Sequence, residues 1–134
     1  MIFRLLVAAV VLLTAGVRAE CPVHIGTDET PYRFAELEKN ISKWENCASW
    51  NNPGCLQYAK QEGAELGPKG YAVFTKLELG KKALHKWWEG HRCFRLETAL
   101  RLYNPHNPNY ASVVLQGTTL DLDSALDLSC VFVQ

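Results

Sequence analysis

The sequence lacks the excess of one charge that nucleic-acid-binding and membrane-surface proteins usually carry. Its 134 residues include 14 basic and 14 acidic side chains, for a formal net charge of +0. This balance does not draw the protein onto a polyanion. Residues 69–103 are locally basic, but their charges alternate with apolar residues, and we interpret them as a solvated face. Nucleic acid is therefore not an expected partner.

The sequence has a single long apolar run, from Leu5 to Leu13. This run is shorter than the ~20 residues that cross a bilayer as a helix. Arg4 precedes it and small residues follow as far as Ala19, which is the layout of a cleavable signal peptide. The sequence predicts a signal peptide over residues 1–19 and a single secreted, extracellular domain over residues 20–134, with no membrane span.

The recognisable chemical motifs are also missing. The sequence has no Cys-x-x-Cys or His-x-x-x-His spacing for a metal, no Gly-x-Ser-x-Gly elbow for a serine nucleophile, and no glycine loop for a phosphate. We therefore expect no metal and no cofactor, and we expect binding rather than catalysis.

Five cysteines are present, and this odd number leaves one without a partner in the chain. We predict two disulfide bonds that stabilise the domain, although spacing alone does not give the connectivity. One arrangement joins Cys47 to Cys55 across the turn-rich segment 51–54, and joins Cys21 to either Cys93 or Cys130. The leftover cysteine is then buried or links two chains into a dimer. The cysteines are Cys21, Cys47, Cys55, Cys93 and Cys130.

The first part of the domain has helical periodicity. Thr30 and Pro31 form a helix start, and apolar residues then recur every three or four positions, which predicts a helix over residues 31–47. A weaker helical pattern follows Asn52 and Pro53, over residues 56–66. The apolar stripe of the first helix consists of Phe34, Leu37, Ile41 and Trp44.

The second part alternates with a period of two, which is typical of half-buried strands. We predict strands over residues 71–79, 94–103, 110–116 and 126–133, with a short helix or a hairpin over residues 81–92. The predicted fold class is α+β, with one or two N-terminal helices packed on a curled antiparallel sheet of four to five strands.

Residues 85–92 form the densest polar cluster in the sequence. Two histidines with a carboxylate and an arginine are the groups that general acid–base cleavage of a phosphodiester requires. One hypothesis is therefore a small secreted hydrolase, ribonuclease-like, that uses His85, His91 and His106 with Glu89 or Glu97.

We favour the alternative hypothesis of a secreted, non-enzymatic binding protein of the toxin, salivary or effector type. Four tryptophans are many for a chain of this length, and exposed aromatic residues often anchor a partner. The predicted binding residues are Trp87, Trp88, His91 and Arg92, and the expected partner is an extracellular protein or a small ligand.

Asn40, Ile41 and Ser42 form the sole N-glycosylation sequon. We predict a glycan on Asn40 if the protein is made by a eukaryote.

Overall fold

A computed structural model describes residues 19–20, 33–128 and 130–132 of the chain. Four α-helices account for most of the regular structure: α1 (Phe34–Glu45), α2 (Leu77–Gly90), α3 (Leu96–Tyr103) and α4 (Tyr110–Val114). Two 3₁₀ turns, Ala48–Trp50 and Pro68–Gly70, lie between α1 and α2. The four strands are short: β1 (Ala19–Glu20), β2 (Ala64–Leu66), β3 (Ala72–Phe74) and β4 (Val131–Phe132).

The strands form two separate antiparallel pairs. In the first pair Ala64 lies opposite Phe74, and in the second Ala19 lies opposite Phe132. Helices with small antiparallel strand pairs are compatible with the α+β class. The curled sheet of four to five strands that the sequence predicted is not found in the described part of the chain.

The core lies between the four helices. Each helix buries residues spaced three or four positions apart, because that spacing puts them on one face. Phe34, Leu37 and Ile41 of α1 are buried, but Trp44, which the sequence placed in the same stripe, is 51% exposed. The other helices contribute Leu84, Trp88, Leu96, Ala99, Leu100, Tyr110 and Val114.

The prediction of a strand over residues 94–103 is wrong, because residues 96–103 form α3. Leu96 and Leu100 fit an alternating pattern and are also four residues apart, so both lie on the buried face of a helix. Leu102 continues the alternation but is 54% exposed. Local composition also favours the helix, since leucine, glutamate, alanine and arginine are strong helix formers.

The strands predicted over residues 71–79 and 110–116 are also replaced in part by helices, and the helical alternative for residues 81–92 is the one found. Residues 110–114 are α4 rather than a strand, with Tyr110 and Val114 buried four residues apart. Of residues 71–79 only 72–74 are a strand, since α2 begins at Leu77. Residues 81–92 are mostly helical, because α2 continues to Gly90, and no hairpin forms there.

The weaker helix predicted over residues 56–66 is absent. This segment is irregular, with one bridge from Gln57 to Tyr71, and ends in β2. Among the described residues of the closing strand predicted over residues 126–133, Val131–Phe132 is the paired part.

Two disulfide bonds join the four described cysteines. Cys47 pairs with Cys55, as one of the predicted arrangements had it, and Cys93 pairs with Cys130. Cys21 lies outside the described residues. Within the described residues, no helix is both long enough and apolar enough to span a membrane.

Candidate functional site

The loop that the Cys47–Cys55 bridge closes is held in position by the buried side-chain amide of one of its own residues. Asn52 has no exposed surface. Its Nδ2 donates to the carbonyl oxygens of Leu56 and Ala72 at 3.0 and 2.9 Å, and its Oδ1 accepts from the Leu56 amide at 2.9 Å. These three hydrogen bonds satisfy buried backbone groups and attach the loop to β3. The loop therefore has a defined position beside the end of α1.

A cavity of about 510 Å³ lies between this loop, the last residue of α1, and the end of α3. We call it the Glu45 cavity. Its volume is within the range of small-ligand sites. The lining residues are Glu45, Gly54, Cys55, Leu56, Gln57, Ala59, Gln61, Tyr71, Trp87, Leu102, Tyr103, Asn104, Pro105 and His106.

Two of its aromatic walls stand at right angles. The rings of Trp87 and Tyr103 make an angle of 83° with their centroids 4.9 Å apart. Tyr103 is held in place from two sides, because its ring stacks on Trp88 and its hydroxyl donates to the Gly54 carbonyl oxygen. His91 stacks on Trp87 with a centroid distance of 3.8 Å. The two rings are thus fixed before any ligand arrives.

Glu45 supplies the acidic group of this cavity. Burial raises the pKa of its carboxyl group above the ordinary value, and the Tyr110 hydroxyl lowers it in part. The Tyr110 hydroxyl is buried close to Glu45 but does not reach full hydrogen-bond geometry. The pKa values of Tyr103 and Tyr110 are both raised, first by burial and then by the nearby Glu45. The carboxyl group therefore lies close to both tyrosines.

A second cavity, of about 410 Å³, adjoins the Glu45 cavity at Trp87. We call it the lysine cavity. It is lined by three lysines and one acid, and the Lys82 ammonium forms an ion pair with Glu62 at 2.9 Å. The two cavities share Leu56, Ala59, Gln61 and Trp87. They form two adjoining compartments of opposite charge. The lining residues specific to the lysine cavity are Lys60, Glu62, Leu79, Lys82, Ala83 and Lys86.

The predicted binding residues have different surroundings. Trp87 lines both cavities, whereas Trp88 is 0% exposed and belongs to the core. His91 Nδ1 lies 2.7 Å from the Trp87 carbonyl oxygen. A carbonyl oxygen only accepts, so this nitrogen carries the proton. Arg92 is partly buried, with its Nε 3.5 Å from the buried Asp127 carboxylate. Of the four residues, only Trp87 borders a cavity.

The histidines of the hydrolase hypothesis are distributed over three environments. His85 pairs with Glu38 at 2.8 Å and contacts Phe34 edge-on. His91 stacks on Trp87, and His106 lines the Glu45 cavity. Of the two proposed acids, Glu89 is exposed and Glu97 pairs with Arg101 at 2.7 Å. Each histidine therefore has its own set of neighbours.

Among the described residues, Cys93, Asp127 and Cys130 have the proximity of metal ligands, with their ligand atoms within 4.8 Å of one another. Both sulfur atoms belong to the Cys93–Cys130 disulfide. Only the Asp127 carboxylate is then left as a ligand, so this cluster does not hold a metal in the oxidised protein.

Sequence reasoning missed Glu45 and Tyr103, which define the acidic cavity. These two residues come together because the Cys47–Cys55 loop and the end of α3 meet at the end of α1. The available signal was the position of Glu45, two residues before a bridged cysteine and next to the turn-rich segment 51–54. Nothing local links that position to Tyr103.

Comparisons with known proteins give no relative from which a function can be taken. No protein-family model matches the chain, and neither a curated protein nor a solved structure matches it.

Proposed function

We propose that this chain is a secreted, non-enzymatic binding protein that holds a small ligand, or a protruding group of an extracellular protein, in the Glu45 cavity. The observation that carries the proposal is the cavity itself, with Trp87 and Tyr103 fixed at right angles beside one buried carboxyl group. A concave, largely apolar site with a few polar groups is the usual form of a ligand pocket. Trp87 is its main contact residue.

A ligand screen by two-dimensional NMR tests this proposal. Compounds that occupy the cavity shift the Trp87 indole N–H signal and the backbone signals of Cys55 and Tyr103. We expect Trp87→Ala to abolish these shifts. Trp44→Ala is the matched control, because Trp44 is exposed on α1 and lines neither cavity. Shifts spread over the whole surface, or unchanged in Trp87→Ala, would contradict the proposal.

A small hydrolase is the second candidate, and one observation favours it. Glu45 and His106 line the same cavity. Since the pKa of Glu45 is raised, its carboxyl group stays protonated to higher pH and can donate a proton to a leaving group. A glutamic acid kept protonated by apolar surroundings is the proton donor of many glycoside hydrolases.

Turnover measurements separate the two candidates. Purified protein is incubated with oligosaccharide, RNA and ester substrates, alongside Glu45→Gln, His106→Ala and the control His85→Ala. The binding proposal expects no turnover by any of these proteins. Turnover that is lost in Glu45→Gln and retained in His85→Ala would replace it with the hydrolase.

Secretion is part of the same proposal. The two disulfides fit an oxidising compartment. The predicted cut after Ala19 lies within β1, so cleavage would leave Glu20, opposite Val131, as the first residue of the mature chain. N-terminal sequencing of the secreted protein is expected to begin at Glu20. A dimer linked through the odd cysteine stays a prediction, and it is checked by electrophoresis with and without reductant.

We also propose a glycan on Asn40, a modification that would remove one hydrogen bond of this side chain. Asn40 Nδ2 donates to the carbonyl oxygens of Val114 and Gln116 at 2.7 and 3.1 Å. A sugar linked to Nδ2 replaces one of its two N–H groups, so one of these hydrogen bonds is lost. We expect the mass of the secreted protein to fall after endoglycosidase treatment, and an unchanged mass would contradict the glycan.

A further inference from the structure

The two adjoining cavities that share Trp87 differ in charge. Among the described residues, the Glu45 cavity is lined by one acid and by no lysine or arginine, and His106 is the one basic residue of that lining. The lysine cavity has three ammonium groups and one acid. A cation is therefore attracted to the first compartment and repelled by the second.

The Glu45 carboxyl group lacks a cationic partner within the described residues. The groups that act on it are the apolar surroundings, which disfavour its charge, and the Tyr110 hydroxyl, which favours it. A half-buried carboxylate without a counter-ion is costly, and a positive charge brought into the cavity would offset that cost.

The walls of the cavity suit one kind of cation. The faces of tryptophan and tyrosine attract organic cations through their electron-rich rings, and a carboxylate beside such rings strengthens the attraction. Trp87 and Tyr103 stand at 83° to each other, and Tyr71 belongs to the same lining. Because Tyr103 is stacked by both Trp88 and Tyr110, whereas Trp87 is stacked by His91, Trp87 is the main aromatic contact for a cation. A bare metal ion would find only one charged oxygen ligand here, which is too few for Ca²⁺ or Mg²⁺.

We propose that the Glu45 cavity binds an alkylammonium group, with Glu45 as its counter-ion and Trp87 and Tyr103 as its aromatic walls. This inference rests on the proposed binding function and specifies the chemical class of the ligand. The side-chain amides of Gln57, Gln61 and Asn104 line the same cavity and supply carbonyl oxygens for polar groups attached to the cation.

The test compares choline with its uncharged isostere, 3,3-dimethyl-1-butanol, on the full chain. The two probes have the same shape and differ in charge. We expect the wild-type protein to bind choline about tenfold more tightly than the isostere, as followed by the Trp87 indole N–H signal and by the backbone signals of Cys55 and Tyr103, which are present in every variant of this test. Glu45→Gln is expected to remove this preference, whereas the control Glu89→Gln, an exposed acid of α2, is expected to keep it.

The pH dependence supplies a second measurement that needs no variant at Glu45. The titratable side chains that line the cavity with Glu45 are Tyr71, Tyr103 and His106, and Tyr110 of α4 lies close to the carboxyl group from behind the lining. Protonation of Glu45 removes the counter-ion, so the affinity for choline is expected to fall as the solution is acidified. His106→Gln is expected to retain this fall, since it removes the imidazole and leaves the carboxyl group.

The outcomes distinguish a failure of the alkylammonium assignment from a failure of the proposed binding function. Equal affinity for choline and for the isostere at the Trp87 signal would overturn the alkylammonium assignment and leave the binding function in place. Choline binding that is independent of pH, or unaffected by both Glu45→Gln and Trp87→Ala, would place the cation elsewhere and overturn it too. An absence of choline binding at millimolar concentration would also overturn it, while the ligand screen would still decide the binding function.

Discussion

The two sides of helix α2 differ in what covers them. On one side Gly80, Leu84 and Trp88 are buried against the other helices and the loop at Asn51. On the other side Ala83 and Trp87 are partly buried and border the cavities. The first side contributes to the core, and the second side leaves part of the Trp87 ring next to the cavities.

This difference separates two neighbouring tryptophans by role. Trp88 stacks on Tyr103 inside the core, while Trp87 meets the same ring in a T-shaped contact and also lines the cavities. Tyr103 therefore connects the core to the site. Trp87 is in turn held by its ring contacts with Trp88, His91 and Tyr103.

The largest expected effect comes from Trp88→Ala. Removing a fully buried indole leaves a void in the core, and such changes destabilise proteins by about 3–5 kcal/mol. Trp87→Ala is expected to cost clearly less stability, because part of that ring is exposed. Urea unfolding of both variants measures the difference. Equal losses of stability would show that the two sides of α2 do not differ in this way.

The two disulfides extend the comparison to the rest of the chain. Loop closure predicts a loss of about 4 kcal/mol for the double variant Cys93→Ala with Cys130→Ala, which opens a separation of 37 residues. For Cys47→Ala with Cys55→Ala, with a separation of 8, it predicts about 2.5 kcal/mol. Opening the Cys47–Cys55 bridge is nevertheless expected to weaken ligand binding more than opening the Cys93–Cys130 bridge, because Cys55 lines the Glu45 cavity. Denaturation measures the two losses of stability, and the choline titration measures the two losses of affinity. A larger loss of affinity on opening Cys93–Cys130 would contradict a role of the Cys47–Cys55 loop in the site.

A glycine on the buried side of α2 sets how closely the helix approaches that loop. A Cβ atom added at Gly80 would overlap the carbonyl oxygen of Asn51. Gly80→Ala is therefore expected to destabilise the protein by about 1–3 kcal/mol. Gly90→Ala is the control, since nothing lies within 4 Å of a Cβ there, and its stability should stay within about 1 kcal/mol of the wild type. Thermal melting of the two variants measures the contrast, and similar melting temperatures would mean that the loop moves away at no cost.

Part of this architecture could be predicted from the sequence. The stripe of Phe34, Leu37 and Ile41 is long enough to have only a helical interpretation, and α1 lies within the predicted range. The second part of the chain was predicted wrongly because its apolar residues fit two periods at once. Leu96 and Leu100 are four residues apart, a spacing that puts them on one face of a strand and also on one face of a helix. Only packing decides between the two structures.

The site was harder to predict than the fold. Trp87 was singled out for its residue type, but its neighbour Trp88 has the same type and lies in the core. The sequence does not state which of two adjacent tryptophans faces outward until the phase of the helix is known. Glu45 and Tyr103 are far apart in the chain, so their proximity depends on the tertiary fold and on no local pattern.

The smallest expected effect is a change in the pH dependence of stability, and it concerns Glu45. Because the pKa of this carboxyl group is raised above its ordinary value of 4.5, the folded protein binds more protons than the unfolded chain between the two pKa values. Stability therefore falls as the pH rises through that window, and it stays lower above it. Glu45→Gln removes the charge, so the variant is expected to be slightly more stable than the wild type near neutral pH and equally stable in acid. Glu89→Gln should show no such difference, because Glu89 is exposed. Urea unfolding across the pH range measures both variants. A Glu45→Gln protein that is less stable than the wild type near neutral pH would mean that the carboxylate already has a favourable partner, and the cavity would then have no unbalanced charge to offer a ligand.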